Sequence, residues 1–352
     1  MDSSYLKNPM NPKNPGSDNF LIVRTDRLGD VVLTLPMARA IKKAIPNARI
    51  TFLARDYTRP IIERCPDVDE VRVVDEKASL WRLITQFRKI DAAFFPSPRF
   101  RLALAGFLAR VPNRIGTGYR WYSFLFTDKI FEHRKTAERH EAEYNLRMLA
   151  SLGIKADESE LPSIKLQQPE IESIDKWMVE HLGSANAKFA VIHITSGGST
   201  RSWPVSQFIK LGLSIIEKQG MNIVLTGVAQ DANIVNLATA SIGVGRAIPF
   251  VGHSLLELAA LLERATIVVA GSTGPGHLSA ALDTPTIGLF PLPLPLSKAR
   301  WGFRGARVSN LSPLPIAGCP NCQNCTCMER INVESVINAV ELMLTGKSTS
   351  EL

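Results

Sequence analysis

Apolar residues come along this chain in short unbroken runs separated by amphipathic stretches. FLIV at 20–23 precedes a helical spacing over 31–44, and ITFLA at 50–54 precedes a helix near 58–64. VRVV at 71–74 leads into a helix over 79–88, and DAAFF at 91–95 into one over 99–110. Runs this short, rich in β-branched and aromatic residues and without polar alternation, suit strands buried on both faces. The helices between them supply the cover, so the alternation predicts a parallel sheet. After a polar, Pro-containing stretch at 154–187 the rhythm restarts. FAVIHI at 189–194, NIVLTG at 222–227, AIPFVG at 247–252, IVVAG at 267–271 and TIGLF at 286–290 alternate with helical spacings over 205–218, 231–241, 255–262 and 276–282. The fold class is therefore α/β, built as two doubly wound, Rossmann-like halves. Val333, Val336, Ile337, Val340 and Leu344 then recur at intervals of three and four, which predicts a closing helix.

The expected organisation is a disordered tail over 1–19, a first domain over 20–165, a connection over 166–187, a second domain over 188–345 and a tail over 346–352. A length of 352 residues suits two domains of ordinary size. No period of 20 to 50 residues repeats, which argues against a solenoid. Hydrophobic content of 45% with 21% charged residues describes a globular chain, and no apolar run approaches the roughly 20 residues that cross a bilayer. The first 19 residues carry Asn, Pro, Ser and Lys without an apolar stretch, so they do not read as a signal peptide, and the expected location is the cytoplasm.

A net charge of +8 implies an acidic partner. The excess is local: eleven cations stand against four carboxylates between Arg88 and Arg139. Aromatic residues are not interleaved there at regular spacing and no common nucleic-acid module is matched, so a nucleic-acid binder is a lesser alternative and no nucleic-acid partner is expected. The segment RFRLALAGFLARV at 99–111 offers an apolar side to a membrane surface, although burial in the domain core is the commoner fate of such a helix. That leaves peripheral contact at the inner face of a membrane as a further expectation.

Two small-residue loops carry the chemistry: TSGGSTRSWP at 195–204 and GSTGPGH at 271–277. Each follows a predicted strand and precedes a helix. Glycine lets a backbone approach a phosphate, hydroxyls donate to its oxygens, and the helix start presents unpaired N–H groups with a partial positive charge. Arg201 beside the first loop has five donors for phosphate oxygens, and His277 beside the second can donate to a phosphate or a sugar hydroxyl. GxxxxGK[ST] is absent, as is a GxGxxG after a strand, which weakens the readings as a P-loop nucleotidase or a dehydrogenase. Asp30, at the expected start of the helix after the first strand, reads equally as a helix cap and as a general base whose pKa the helix terminus lowers. Asp67 and Asp69 form a DxD in a turn and read as surface residues. Cys319, Cys322, Cys325 and Cys327 follow C-x2-C-x2-C-x-C, a spacing open to zinc, to a disulfide on oxidation or to a reduced loop. Cys65 stands alone.

In this order and spacing RTDRLGDVVLTLP, SGGSTRSWP, LTGVAQD, VGHSLLELAALLERATIVVAGSTGPGHLSAAL and CMERINVESV resemble glycosyltransferase family 9, the ADP-heptose:lipopolysaccharide heptosyltransferases, over nearly the whole chain after residue 19. The resemblance implies GT-B architecture, with two Rossmann-like domains facing across a cleft. It implies an inverting, metal-independent glycosyltransferase that needs no cofactor and moves a sugar, heptose from ADP-heptose, to a hydroxyl of a lipopolysaccharide-core or similar lipid-linked glycan. Use of a UDP or GDP donor by the same fold, or nucleotide-sugar epimerisation, is the alternative. The partners would be an ADP-sugar donor and an anionic glycolipid acceptor. Asp30 would be the catalytic base. Thr195, Ser196, Arg201, Asp231, His253, Ser272, Thr273, Gly274 and His277 would hold the donor, with Arg201 where heptosyltransferases often carry Lys and Ser272 where they commonly carry Asp. Arg114, Arg120 and His140 are acceptor candidates within the basic region.

Overall fold

The computed structural model describes residues 19–75, 77–196, 201–316 and 326–346. The chain forms two compact units. Unit 1 comprises the described residues up to Arg134 together with Glu141–Lys165, and unit 2 comprises Lys135–His140 and the described residues from Leu166 onward.

Unit 1 runs β1 (Asn19–Val23), α1 (Leu28–Val32), α2 (Pro36–Ala44), β2 (Arg49–Ala54), α3 (Arg59–Ile62), β3 (Glu70–Val73), α4 (Leu80–Thr85), β4 (Ala92–Phe94), α5 (Phe100–Leu108), β5 (Asn113–Thr117), β6 (Asp128–Ile130) and α6 (Glu141–Arg147). Its six strands are parallel, in the order β3-β2-β1-β4-β5-β6. The single helix expected over 31–44 is two helices, and the first begins at Leu28. Pro36 has no N–H to extend the ladder of α1, but its fixed φ suits the first position of α2. β5 and β6 were not expected from the pattern, because NRIGT and DKI are too short and polar to stand out.

Unit 2 runs α7 (Gln168–Leu182), β7 (Phe189–His193), α8 (Val205–Gln219), β8 (Asn222–Thr226), α9 (Ala232–Ile242), β9 (Ala247–Phe250), α10 (Leu255–Arg264), β10 (Ile267–Gly271), α11 (Gly274–Ala281), β11 (Thr286–Leu289), α12 (Lys298–Trp301), β12 (Val308–Leu311) and α13 (Val333–Thr345). Its parallel sheet has the order β12-β11-β10-β7-β8-β9, which is the order of unit 1 read from the other edge. α7 lies within 166–187, yet it is an element of unit 2: Ile174 and Met178 are buried, and Arg264 of α10 pairs with Asp175 at 2.8 Å. α13 closes the unit as its spacing predicts, burying Val336, Ile337 and Val340 in the core with Phe208 and Leu211 of α8.

In each sheet the strand order reverses once, between β1 and β4 in unit 1 and between β7 and β10 in unit 2. Open α/β sheets bind ligands outside the carboxyl ends of the strands at this reversal, because the crossover connections leave on opposite faces and open a crevice. Among the described residues no helix is long and apolar enough to cross a membrane.

Candidate active site

At the carboxyl end of β1 the chain buries a guanidinium among carboxylates. Arg24 is 3% exposed. Its Nε lies 3.0 Å from Asp26 Oδ2, its Nη1 donates to Glu141 Oε1 at 3.3 Å, and its Nη2 donates to Asp30 Oδ1. Glu141, at the start of α6, also accepts from Arg134 Nη1 at 2.5 Å. Arg134 reaches Asn145 Oδ1 at 2.9 Å, and Asn145 in turn donates to Leu33 O and Thr34 Oγ1 at 3.2 and 3.1 Å. Thr34 Oγ1 closes the ring on Asp30 O at 2.7 Å. The turn that carries Asp30 is thus held from both sides.

Asp30 occupies the third position of α1, where Oδ2 accepts from Arg27 N at 3.2 Å. Its pKa is raised, not lowered as a helix start alone suggests. Burial disfavours the charge more than Arg24 favours it, and Asp26 and Glu141 add to the rise. A carboxylate so tuned is a better proton acceptor than an ordinary surface aspartate. Tyr57, which donates to Asp26 O at 3.2 Å, has its phenol pKa raised chiefly by burial, with a smaller push from the Asp30 charge against the pull of Arg55.

Unit 2 brings its two loops together at the sheet reversal. Ala270 of β10 pairs with His193 of β7, so the residues after each strand emerge side by side. Thr195 is buried, and its Oγ1 has no hydrogen-bond partner among the described residues. Ser196 Oγ accepts from Ser202 Oγ at 2.7 Å. Trp203 is sunk in the core, edge-on to Phe208 and donating from Nε1 to Ile331 O at 3.0 Å, which anchors the far end of the first loop next to the half-buried Arg201. In the second loop Thr273 precedes α11, whose first residue is Gly274, and Ser272 is half-buried. Gly276 is required by packing: a Cβ there would lie 2.1 Å from Phe303 Cζ. His277 sits inside the first turn of α11 and does not begin it. The ring is buried edge-on to Phe303 at 4.9 Å, with Nδ1 unpartnered among the described residues.

A family model described as "Glycosyltransferase family 9 (heptosyltransferase)" matches residues 92–315, more than half of the chain. The chain belongs to glycosyltransferase family 9. It is a glycosyltransferase of GT-B fold. A Haemophilus influenzae protein named only as a provisional glycosyltransferase is 27% identical over 342 residues, covering 93% of this chain and 97% of that one. Lipopolysaccharide heptosyltransferase 2 of Salmonella typhimurium is 24% identical over 289 residues, 77% of this chain and 82% of the relative. The solved structure of the E. coli ADP-heptose lipopolysaccharide heptosyltransferase II superposes with a TM-score of 0.77 at 19% identity, covering 93% of this chain and 99% of that one.

The other residues that the sequence singles out in this family 9 chain are spread over both units. Asp231 ends a short turn before α9, close enough to His193 to favour its protonation. The His253 ring stacks on Phe250 at 3.7 Å and its Nδ1 lies 3.3 Å from Glu257 Oε1, so this side chain is already engaged. Arg114 is spent on structure, donating from Nε to Leu125 O at 2.7 Å and from Nη1 to Val111 O. Arg120 is exposed in unit 1, whereas His140 is buried in unit 2, donating from Nε2 to Gly302 O at 2.7 Å. Asp69 of the DxD accepts from Ile50 N and Lys42 Nζ, both at 2.7 Å, which makes it a turn anchor. Gly197 to Thr200 of the first loop, and Cys319, Cys322 and Cys325, lie outside the described residues. Cys327 and Cys65 are buried, and burial pushes the Cys65 thiol up to about 11. The sequence reading missed Arg24, Glu141 and Arg134 as site residues. An arginine at the end of an apolar strand was a signal for the first; nothing local marked the other two.

Two buried histidines make unit 2 sensitive to acid. Burial lowers His277 to about 3, with His140 adding to the fall. It lowers His193, held to Thr226 Oγ1 at 2.9 Å, to about 4 against a smaller opposing pull from Asp231. Both rings are neutral when folded and take up protons near pH 6.5 when unfolded. The stability they confer is complete above that pH and is lost as pH falls towards 4, by about 1.4 kcal/mol per pH unit for each ring. Denaturant midpoints should fall between pH 6.5 and 4, and fall less steeply in His193→Gln. Midpoints flat with pH would contradict the neutral, buried assignment.

Proposed function

We propose that the protein is an inverting, metal-independent glycosyltransferase that moves heptose from ADP-heptose to a hydroxyl of a lipid-linked, anionic glycan such as a lipopolysaccharide core. The observation that carries the donor half is a pair of buried atoms without a hydrogen-bond partner among the described residues, Thr195 Oγ1 just after β7 and His277 Nδ1 in the first turn of α11, following the two strands that flank the sheet reversal of unit 2. An unsatisfied buried hydroxyl costs about 1–3 kcal/mol, and a ligand oxygen recovers that cost. The start of α11 adds N–H groups and a partial positive charge, which suit a diphosphate. The E. coli relative's name supplies the donor class, and Arg201 supplies a fixed positive charge.

In this reading the acceptor oxygen forms a bond to the anomeric carbon as the bond from that carbon to the diphosphate oxygen breaks. The acceptor's proton passes to Asp30, and ADP departs with its growing charge met by Arg201, Thr195, neutral His277 and the N–H groups of α11. Asp231 would hold the ribose, the backbone at His253 would meet adenine, and Ser196, Ser272, Thr273 and Gly274 would line the phosphate and sugar. Direct displacement inverts the anomeric centre, and this charge set calls for no metal.

Thr195→Val tests the observation itself. The variant removes an unsatisfied hydroxyl while keeping the side chain's shape, so it should melt at the same or a higher temperature and yet bind ADP more weakly. A fall in melting temperature with unchanged ADP affinity would overturn the assignment. Ser272, standing where heptosyltransferases commonly carry Asp, favours a second reading with another donor. A panel of ADP-, UDP- and GDP-sugars decides: product from ADP-heptose is expected, and product from a UDP- or GDP-sugar alone would replace the first reading.

A further inference from the structure

Unit 1 displays a strip of aromatic rings that its core does not use. The short turn after β5 sends Tyr122, Leu125 and Phe126 inward among Phe87 and Phe95, and it leaves Trp121 73% and Phe124 64% exposed. α5 divides in the same way, burying Leu102, Ala103 and Ala105 while Phe100 and Phe107 face water. The two segments form one strip: the Phe100 ring lies 4.8 Å from Trp121, and Arg114 lies over Phe107 at 5.5 Å while holding Leu125 O. The apolar side of α5 therefore goes to the core, and a second set of rings faces outward.

Charge says what covers this strip. From Arg99 to Phe131 there are six cations and one carboxylate, Asp128. Neither Arg110 nor Arg120 pairs with a carboxylate among the described residues, and both are exposed. A second copy of the chain packed on this face would bring like charge against like. A bilayer rich in anionic phospholipid satisfies both components, since aromatic rings settle at headgroup depth and arginines bind lipid phosphates. We propose that this face of unit 1 docks on an anionic phospholipid surface, with Trp121 and Phe124 entering the headgroup layer and Arg110 and Arg120 on lipid phosphates. The inference deepens the reading of the acceptor as lipid-linked and rests on it for its purpose. Its test uses neither donor nor acceptor, so the two can fail separately.

The full chain is mixed with vesicles of phosphatidylcholine alone, or of an equal mixture with phosphatidylglycerol, and bound protein is measured by flotation. Binding to the mixed vesicles only, weakened by salt, is expected. Brominated lipid should quench part of the tryptophan fluorescence, and that part should disappear in Trp121→Ser. The double variant Trp121→Ser, Phe124→Ser should bind at least about tenfold more weakly, and Arg120→Gln about fivefold. Because these side chains are exposed, the variants should keep the parent's melting temperature, which verifies that they fold. Absence of vesicle binding, equal binding to both compositions, or binding unchanged by the double variant would overturn the proposal. So would self-association that the double variant abolishes without any vesicle binding, which would assign the strip to a second copy.

Discussion

Asp30→Asn is expected to lower kcat by about 10² to 10⁴ while leaving ADP affinity essentially unchanged. The substitution suits the question because Asn retains the shape of Asp and keeps one oxygen for the hydrogen bond from Arg24, giving up only the acceptor for Arg27 N. What it removes is the capacity to take a proton. Burial raises the Asp30 pKa and Arg24 opposes the rise, so the carboxylate loses its charge at a higher pH than a surface aspartate would. In the parent enzyme kcat/KM should therefore fall as pH drops through that raised value, and in the variant this acid limb should vanish. A pH profile of initial rates, with ADP binding by calorimetry, checks both. Near-normal turnover in the variant would remove Asp30 from the chemistry.

Arg24→Met is expected to be the most destabilising single change in unit 1, by about 3–5 kcal/mol. Arg24 is the shared partner of Asp26, Asp30 and Glu141, and its own pKa is raised because these carboxylates outweigh the penalty of burial. Met fills similar space but leaves three carboxylates without that charge. Glu141, 2% exposed, keeps the hydrogen bond from Arg134 but loses the Arg24 charge. Asp30, whose folded pKa burial already raises, would titrate at a still higher pH in the folded variant than in the unfolded chain. A group with a raised folded pKa confers stability at low pH and loses it as pH rises, so the defect should be smaller at pH 5 than at pH 8. Adding Glu141→Gln should restore part of the loss by removing one buried charge. Urea unfolding of the single and double variants at the two pH values tests this, and a defect independent of pH would contradict it.

Much of the molecule was legible in advance because the determining forces are local or run along the chain. FLIV, ITFLA, FAVIHI and IVVAG are strands because residues apolar on both faces must be covered on both faces, and the helices between them do so. Asp30, Thr195 and His277 were picked out because a small or polar residue just after such a strand falls at the carboxyl edge of the sheet. The break at Pro36 was also readable from proline's missing donor, although the expected helix ran through it. Short polar strands such as DKI escaped notice because their neighbours in the sheet, not their own composition, make them strands.

The sequence by itself determined the two α/β units, the closing helix, the two small-residue connections after β7 and β10 and the carboxylate after the first strand, since periodicity and connection length specify these without reference to distant residues. Only the tertiary structure decided that Asp30's pKa rises, that Glu141 and Arg134 belong to its surroundings, that His277 lies neutral inside α11, and that the two loops of unit 2 emerge from adjacent strands. The reason is physical. Desolvation depends on everything packed around a group, and Arg24 meets Glu141 across 117 positions of chain, a pairing that strand order and burial create and that local pattern cannot carry.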